Sequence, residues 1–395
     1  MQNSQINTAS WGAMMLMVVT ALLVMTQLYL AIPLLTYVDH YFSPTNSKTV
    51  TFALATSFSL AYAGGFLIWG PISDQYGRRP VMLIGVTVLS LTTYACAFAP
   101  SLSWLIVLRM VQGMTASSFA PTALAYLAEA VPVRHRATAI GAMSTSFLVA
   151  GIFGQVLAAS VALRWDWYWV FLITGTMLIV TVPFIVWMVK EPVKAGVEGH
   201  LGHRFIALGK TVMRPSVLLL SCAHITLLLS FVAMYTALGP HLGSLGLDPT
   251  NVILLRLVGL PGMFASLLVG KLAARIRISG VAIVGYVTAA IGLVLEAIFS
   301  QFLAGIIIGS LFFVIGVALA IPAMITQFGE VSMPNRAGGM ALNGFILFIG
   351  ASVGPLIVSD ITNFSVLLIS IASVLFLASG FVAGSVSLAK CVTRR

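Results

Sequence analysis

The segment Gly70-Pro71-Ile72-Ser73-Asp74-Gln75-Tyr76-Gly77-Arg78-Arg79-Pro80 sets one carboxylate four residues before a pair of guanidinium groups, between two glycines. Asp74 can accept hydrogen bonds from an arginine or from the first turn of a helix, Gly77 allows a tight turn with positive φ, and Gly70 allows two helix backbones to approach closely. Such a set makes a clasp of charge-assisted bonds that can open and reform. Three other ionisable groups lie inside apolar runs: Arg109, in Leu108-Arg109-Met110-Val111-Gln112-Gly113-Met114, then His224 and Arg256. For Arg109 two readings stand: it faces a water-lined pathway for a substrate or a proton, or it is bonded to helix carbonyls. Arg256 either binds an anionic group or extends to an interface or a nearby carboxylate. His224 titrates in the range a proton carrier needs, or is held by a neighbouring helix. No nucleophile with a base beside it and no metal-ligand set is present. The pair His200 and His203 lacks further ligands, so no catalytic residue and no metal site are expected.

The elements that must position these groups follow from composition. Of 395 residues, 59% are hydrophobic and 8% charged, far from the usage of domains folded in water. The apolar residues fall in runs of about 20, the length at which a helix crosses the hydrocarbon of a bilayer. Twelve such spans are expected, near 11–38, 50–72, 79–98, 101–127, 137–161, 168–189, 215–239, 249–271, 279–299, 302–327, 337–359 and 364–388. Runs such as Leu303 to Met324 do not alternate, which excludes barrel strands. Counted from Leu102, Arg109 lies roughly 10 Å below the membrane surface, and Arg256 lies about as deep.

The net charge of +10 is not a nucleic-acid footprint, because 16 of the 20 Lys and Arg residues fall in loops or ends on one side. Only Lys48 and Arg164 fall on the other, which predicts that both termini are cytoplasmic. Residues 1–47 hold no Lys or Arg, so the first span is expected to stay in the mature chain. Cys96, Cys222 and Cys391 have no framework spacing. The halves echo each other at an offset of 200: Gly70 with Gly270, Arg136-Ala137 with Arg336-Ala337, and Gly154 with Gly354. The expected organisation is therefore all-α and membrane-integral, with two pseudo-symmetric six-helix bundles, 1–189 and 215–395, joined by a cytoplasmic linker over 190–214.

The segment from Gly70 to Arg79 resembles the G-x-x-x-D-x-x-G-R-R signature of the major facilitator superfamily, in the same loop. The resemblance covers essentially the whole chain. It implies the fold of that family, alternating access, and a clasp joining the second span to the eleventh, completed by Glu129 and Arg136. Arg109 to Gly113 resembles the R-x-x-Q-G segment of the family's drug:proton antiporters. Gly151 and Gly154 stand where those antiporters show a fuller glycine and proline motif, so the match there is eroded. Gly350, Gly354 and Pro355 keep the Gly-x-x-x-Gly-Pro form, suited to close packing and bending.

The resemblance also implies that Gln27, Tyr29, Arg109, Gln112, His224 and Tyr235 line a central cavity; Arg256, by its depth in the eighth span, is a further candidate for substrate or proton coupling. No carboxylate is expected near the midplane. Asp39, Glu296 and Asp360, all at or near the outer side, and His224 are left as possible proton carriers. The expected function is secondary active transport in a bacterial inner membrane: proton-coupled efflux of drug-like molecules, or movement of a carboxylate-type anion by the intramembrane arginines. A monomer with no cofactor beyond the proton gradient, no nucleic-acid partner and no enzyme activity completes the expectation.

Overall fold

The computed structural model describes residues 10–43, 47–191, 209, 211–333, 335–361 and 363–393. Most of the expected linker, with His200 and His203, lies outside the described residues, as do the side chains of Arg336 and Ala337. The described residues form helices and no strand.

We number the crossing segments α1 to α12. Segment α1 comprises Trp11–Tyr29 and Ala31–Phe42, interrupted at Leu30. Segment α2 runs through Ser47–Thr51, a π-helical turn Phe52–Thr56, and Ser57–Tyr76. Then come α3 (Arg78–Ala97), α4 (Leu102–Ala116 and Phe119–Ala130), α5 (Val133–Arg164) and α6 (Tyr168–Met188). The second set opens with α7 (Pro215–Ser244). Segment α8 follows in short pieces, Pro249–Leu257, Leu260–Met263 and the 3₁₀ turn Phe264–Leu268. It continues into Val269–Ile298, where a backbone kink at Arg277 (φ 64, ψ 161) divides α8 from α9. The last three are α10 (Leu303–Val331), α11 (Arg336–Asp360) and α12 (Phe364–Thr393).

The interruptions have local causes. Pro33 has no N–H to donate to the carbonyl four residues back, near the break at Leu30, and Pro121 does the same just after the break in α4. Gly259 and Pro261 bracket the broken middle of α8. Ten described helices are long and apolar enough to cross a membrane. The split of α4 and the fusion of α8 with α9 account for the other two, so twelve crossings fit.

The internal duplication is visible in the packing. Helix α1 packs on α5, α2 on α4 and α3 on α6; correspondingly α7 packs on α11, α8 on α10 and α9 on α12. The two sets meet through α2 with α11 and α5 with α8, which exchange under the same six-helix shift. The offset of 200 has a steric meaning at Gly154 and Gly354. A Cβ on Gly154 would lie 3.1 Å from the Thr26 carbonyl oxygen of α1, and one on Gly354 would lie 2.8 Å from that of Leu229 in α7. Without water to drive helices together, close backbone contact is a principal source of their adhesion.

Gly70 departs from expectation. A Cβ there would meet nothing within 4 Å, and Gly270 is equally open, so neither supports a close helix crossing in this state. Two stability outcomes follow, both readable by thermal unfolding in detergent. Gly350→Ala puts a methyl 2.0 Å from the Ile225 carbonyl oxygen and is expected to cost about 1–3 kcal/mol. Gly70→Ala is expected to leave the unfolding temperature unchanged.

Candidate functional site

At the end carrying the basic loops, α2 stops at Tyr76 because Gly77 adopts φ 107 and ψ 155, open only to glycine. The Glu191 carboxylate, just beyond α6, accepts hydrogen bonds from the backbone N–H groups of Arg78 and Arg79, both at 2.7 Å. It thus satisfies free donors in the first turn of α3 and places a negative charge at the positive end of the helix dipole. A Cβ on Gly77 would lie 2.7 Å from the Glu191 Oε1, so glycine is required for space as well as for conformation.

The Arg78 guanidinium pairs with Asp74 of α2, with Glu129 of α4 at 2.9 Å, and with the Ser73 hydroxyl at 2.6 Å. Partial burial works against its charge, but Glu129 and Asp74 outweigh that and raise its pKa. Arg79 donates to the Val186 carbonyl of α6 at 2.7 Å. Arg136 instead reaches the Val131 carbonyl in its own connection, at 3.4 Å. The clasp described here ties α2, α3, α4 and the end of α6. Glu191 falls within the 190–214 segment expected as a linker; the available signal for its role is a lone carboxylate directly after an apolar span on the basic side.

Within the membrane, Arg109 is fully enclosed. Its Nε donates to the Leu54 carbonyl at 2.8 Å, Nη2 to the Gln27 carbonyl at 3.0 Å, and Nη1 to the Gln112 side-chain oxygen at 3.0 Å. Its charge sits 4.3 Å from the centre of the Phe58 ring, within cation–π range. Leu54 belongs to the π turn of α2, a departure from α geometry often found where a helix serves another group. Gln112 in turn donates to the Thr93 hydroxyl at 2.7 Å and accepts from the Cys96 thiol. The array braces α1, α2, α3 and α4, and of the two readings open for Arg109 the geometry supplies the carbonyl-bonded one. The amide atoms of Gln27 are buried beside it without partners.

A second group lies where the two sets of helices meet. Tyr29 of α1 stands edge-on to Phe231 of α7, their ring centres 5.7 Å apart, with Gly151 of α5 leaving room for both. Tyr62 and Phe66 of α2 pack on Phe348 of α11. Arg256 of α8 donates to the side-chain oxygen of Gln155 in α5, linking the two sets, and the Tyr235 hydroxyl is buried nearby without a partner. Toward the end opposite the basic loops, the Thr56 hydroxyl donates to the Ser352 carbonyl at 3.0 Å and Lys48 pairs with Asp360. These contacts run from that end to about the middle of the helices, so the molecule is closed on the less basic face.

His224 falls in neither group. It sits in α7 with Nε2 2.8 Å from the Asn343 amide of α11, its ring beside Phe328, and its Nδ1 buried without a partner. The seven candidates therefore occupy three places: Gln27, Arg109 and Gln112 in one half, Tyr29, Tyr235 and Arg256 at the interface, and His224 in the other half. None is more than 5% exposed. If Arg109 is primarily a brace, Arg109→Lys, which keeps the charge but loses the fork, strands buried acceptors at about 1–3 kcal/mol each. The expected result is a clear drop in unfolding temperature measured without any ligand.

Comparison with known proteins bears on this arrangement. Over 148 residues the chain is 33% identical to the multi-drug resistance efflux pump PmrA of Streptococcus pneumoniae, covering 37% of each protein. Over 165 residues it is 32% identical to the gallate transporter of Pseudomonas putida, covering 38% of this chain and 37% of that one. Both matches thus span well under two thirds of the relatives' length. A bacterial homologue of the human lysosomal transporter Spinster, solved in an inward-facing, unoccupied conformation, shares the fold with a TM-score of 0.68 over 96% of both chains at 16% identity. The sequence model of the Major Facilitator Superfamily matches residues 16–355. A duplicated helical membrane fold, a clasp between α2 and α3, and a match over most of its length make this chain a member of the major facilitator superfamily of transporters.

Proposed function

We infer that the protein exports amphipathic, drug-like molecules across a bacterial inner membrane by alternating access, driven by protons moving inward. The observation that carries this reading is the lining of the contact between the halves. Six aromatic rings, of Tyr29, Tyr62, Phe66, Phe231, Tyr235 and Phe348, lie there with few polar groups among them. Aromatic faces accept varied apolar shapes, and sparse polar groups orient without demanding one ligand. The similarity to an efflux pump supports the same reading.

With the basic loops in the cytoplasm, the closed face is the outer one and the present state is open or poised to open inward. Alternation then consists of rocking one six-helix bundle against the other. The α2–α11 and α5–α8 contacts part on the outer side, and the clasp at Asp74, Arg78 and Glu129 holds the cytoplasmic ends in register.

A second reading, transport of an aromatic carboxylate, is favoured by Arg256. This buried guanidinium has a neutral partner across the interface and an unpartnered hydroxyl beside it, a set suited to a carboxylate on a ring. The similarity to a gallate transporter points the same way.

Inside-out vesicles separate the two. Cationic dyes are expected to accumulate when the lumen is acidified and to leak away when a protonophore collapses the gradient. Arg256→Ala is expected to leave dye transport intact if the first reading is right, and to abolish uptake of labelled gallate if the second is. Asp74→Asn, which removes one charge-assisted bond of the clasp, is expected to slow dye transport about tenfold, the equivalent of roughly 1.4 kcal/mol.

A further inference from the structure

The outer piece of α8, Pro249–Leu257, has its main neighbour in the other half of the molecule. It packs chiefly on α5 and less on α7 of its own half, whereas the pieces that follow, Leu260–Met263 and the 3₁₀ turn, pack chiefly on α10 of their own half. Of the nine residues in the outer piece, Arg256 is the one that is buried, while Leu254 and Leu257 are exposed. A helix with so little apolar burial is held weakly by packing, and its polar contacts decide where it rests. Arg256 makes the contact that counts. Its guanidinium passes α7 at Gly239, where a Cβ would lie 3.0 Å from Nη2, and donates from Nη1 to the Gln155 side-chain oxygen of α5. Gln155 is aimed to accept, since its own amide nitrogen donates to the Gly151 carbonyl at 2.6 Å. Both side chains are buried, so in the closed state water does not compete for the bond.

The joint between the two parts of α8 is built into its backbone. Pro261 has no N–H to give the Leu257 carbonyl. The bonds beside it are the tighter 3₁₀ kind, from the Val258 N–H to the Leu255 carbonyl at 3.2 Å and from the Gly262 N–H to the Gly259 carbonyl at 3.0 Å. Gly259 completes the joint: a Cβ there would lie 2.5 Å from the Tyr235 hydroxyl of α7, 2.9 Å from Ile152 of α5 and 3.1 Å from Val314 of α10. The break therefore sits where the halves converge, just inward of Arg256, and it is of the kind at which helices bend.

We propose that the outer piece of α8 is a gate segment that swings on the joint at residues 258–261, with the bond from Arg256 to Gln155 as its latch. Latched, the piece lies on α5 and shuts the outer side. Released, it leaves α5 while the rest of α8 stays on α10. The Arg256 side chain, about 10 Å from the outer end of the piece, then extends to water in place of Gln155. This adds a local step to the rocking of the halves and rests on the alternating-access reading above. The latch sets the balance of closed and released forms and is not an element of the passage, so dye transport survives its loss, as expected above for Arg256→Ala under the efflux reading.

The test is spin-label distance measurement on the full chain in lipid, with Cys222→Ser and Cys391→Ser removing competing thiols and Cys96 left in place because it is buried. Labels replace Thr250 on the outer piece, Arg164 at the outer end of α5 and Gln301 between α9 and α10, all exposed. The Thr250 to Gln301 distance lies within one half and reports the swing. Thr250 to Arg164 reports release, and Arg164 to Gln301 reports rocking of the halves. The wild type is expected to be mainly closed. Gln155→Leu is expected to raise the released population about tenfold, the worth of one bond to a charged group, with both Thr250 distances changing together. Gln155→Glu, which gives the guanidinium a charged partner, is expected to suppress that population below the wild type. Pro261→Ala, which restores a donor to the Leu257 carbonyl, is expected to cancel the change in Thr250 to Gln301 when combined with Gln155→Leu. A Thr250 to Gln301 distance that stays fixed in every variant overturns the proposal, since α8 then moves only as part of its half. Unchanged distances in Gln155→Leu overturn it as well, because Arg256 then latches nothing. The reading it rests on fails separately: if Arg164 to Gln301 never changes and no dye is moved, alternating access is wrong, while Thr250 to Gln301 still decides whether the segment swings.

Discussion

The interior of a bilayer offers no water to complete a hydrogen bond, and this constraint governs every polar group in the protein. It makes the chain helical, since a helix satisfies its own backbone. It also explains how Arg109 is held. Each face of the guanidinium fork meets an acceptor, two of them backbone carbonyls of α1 and α2, and an aromatic ring lies against the group. One side chain ties α1, α2 and α4, and Gln112 extends the tie to α3, because no solvent can answer the charge.

The same constraint separates the polar groups by purpose. Those with complete bonding, Arg109 with Gln112 and Thr93, hold one half together and gain nothing by moving. Others are left incomplete: Tyr235 beside Arg256 where the halves meet, Glu296 and Ser310 between α9 and α10, Gln27 beside Arg109, and one nitrogen of His224. Unsatisfied groups are affordable where motion supplies a partner in another state. The aromatic rings between the halves complement this division, since they can slide against one another without breaking hydrogen bonds.

On the aqueous side the physics is ordinary electrostatics. Glu191 fastens the start of α3 to the chain leaving α6, while Arg78 fastens that start to α2 and α4. The chain that leaves the first half is therefore fastened to the clasp at its first described residues.

Much of this was legible in the sequence: helical crossings in runs of about 20 apolar residues, and duplication in the offset that sets Gly154 against α1 and Gly354 against α7. These are local or periodic properties, written in residue type and spacing. Gly77 was legible for the same reason, since its turn is made by its own backbone. What the tertiary structure alone decided is which groups find partners. Arg109 reads equally as a pathway charge and as a carbonyl-bonded one until the carbonyls of Leu54 and Gln27 are brought to it. Gly70 reads as a packing site until the space around it proves open, and Glu191 is only one residue of the expected linker until the first turn of α3 is found bonded to it. Glu296 reads as an end-of-helix carboxylate until α10 closes over it. Spacing along one chain fixes the helices; the partners of a buried charge come from other helices, at separations no local pattern encodes.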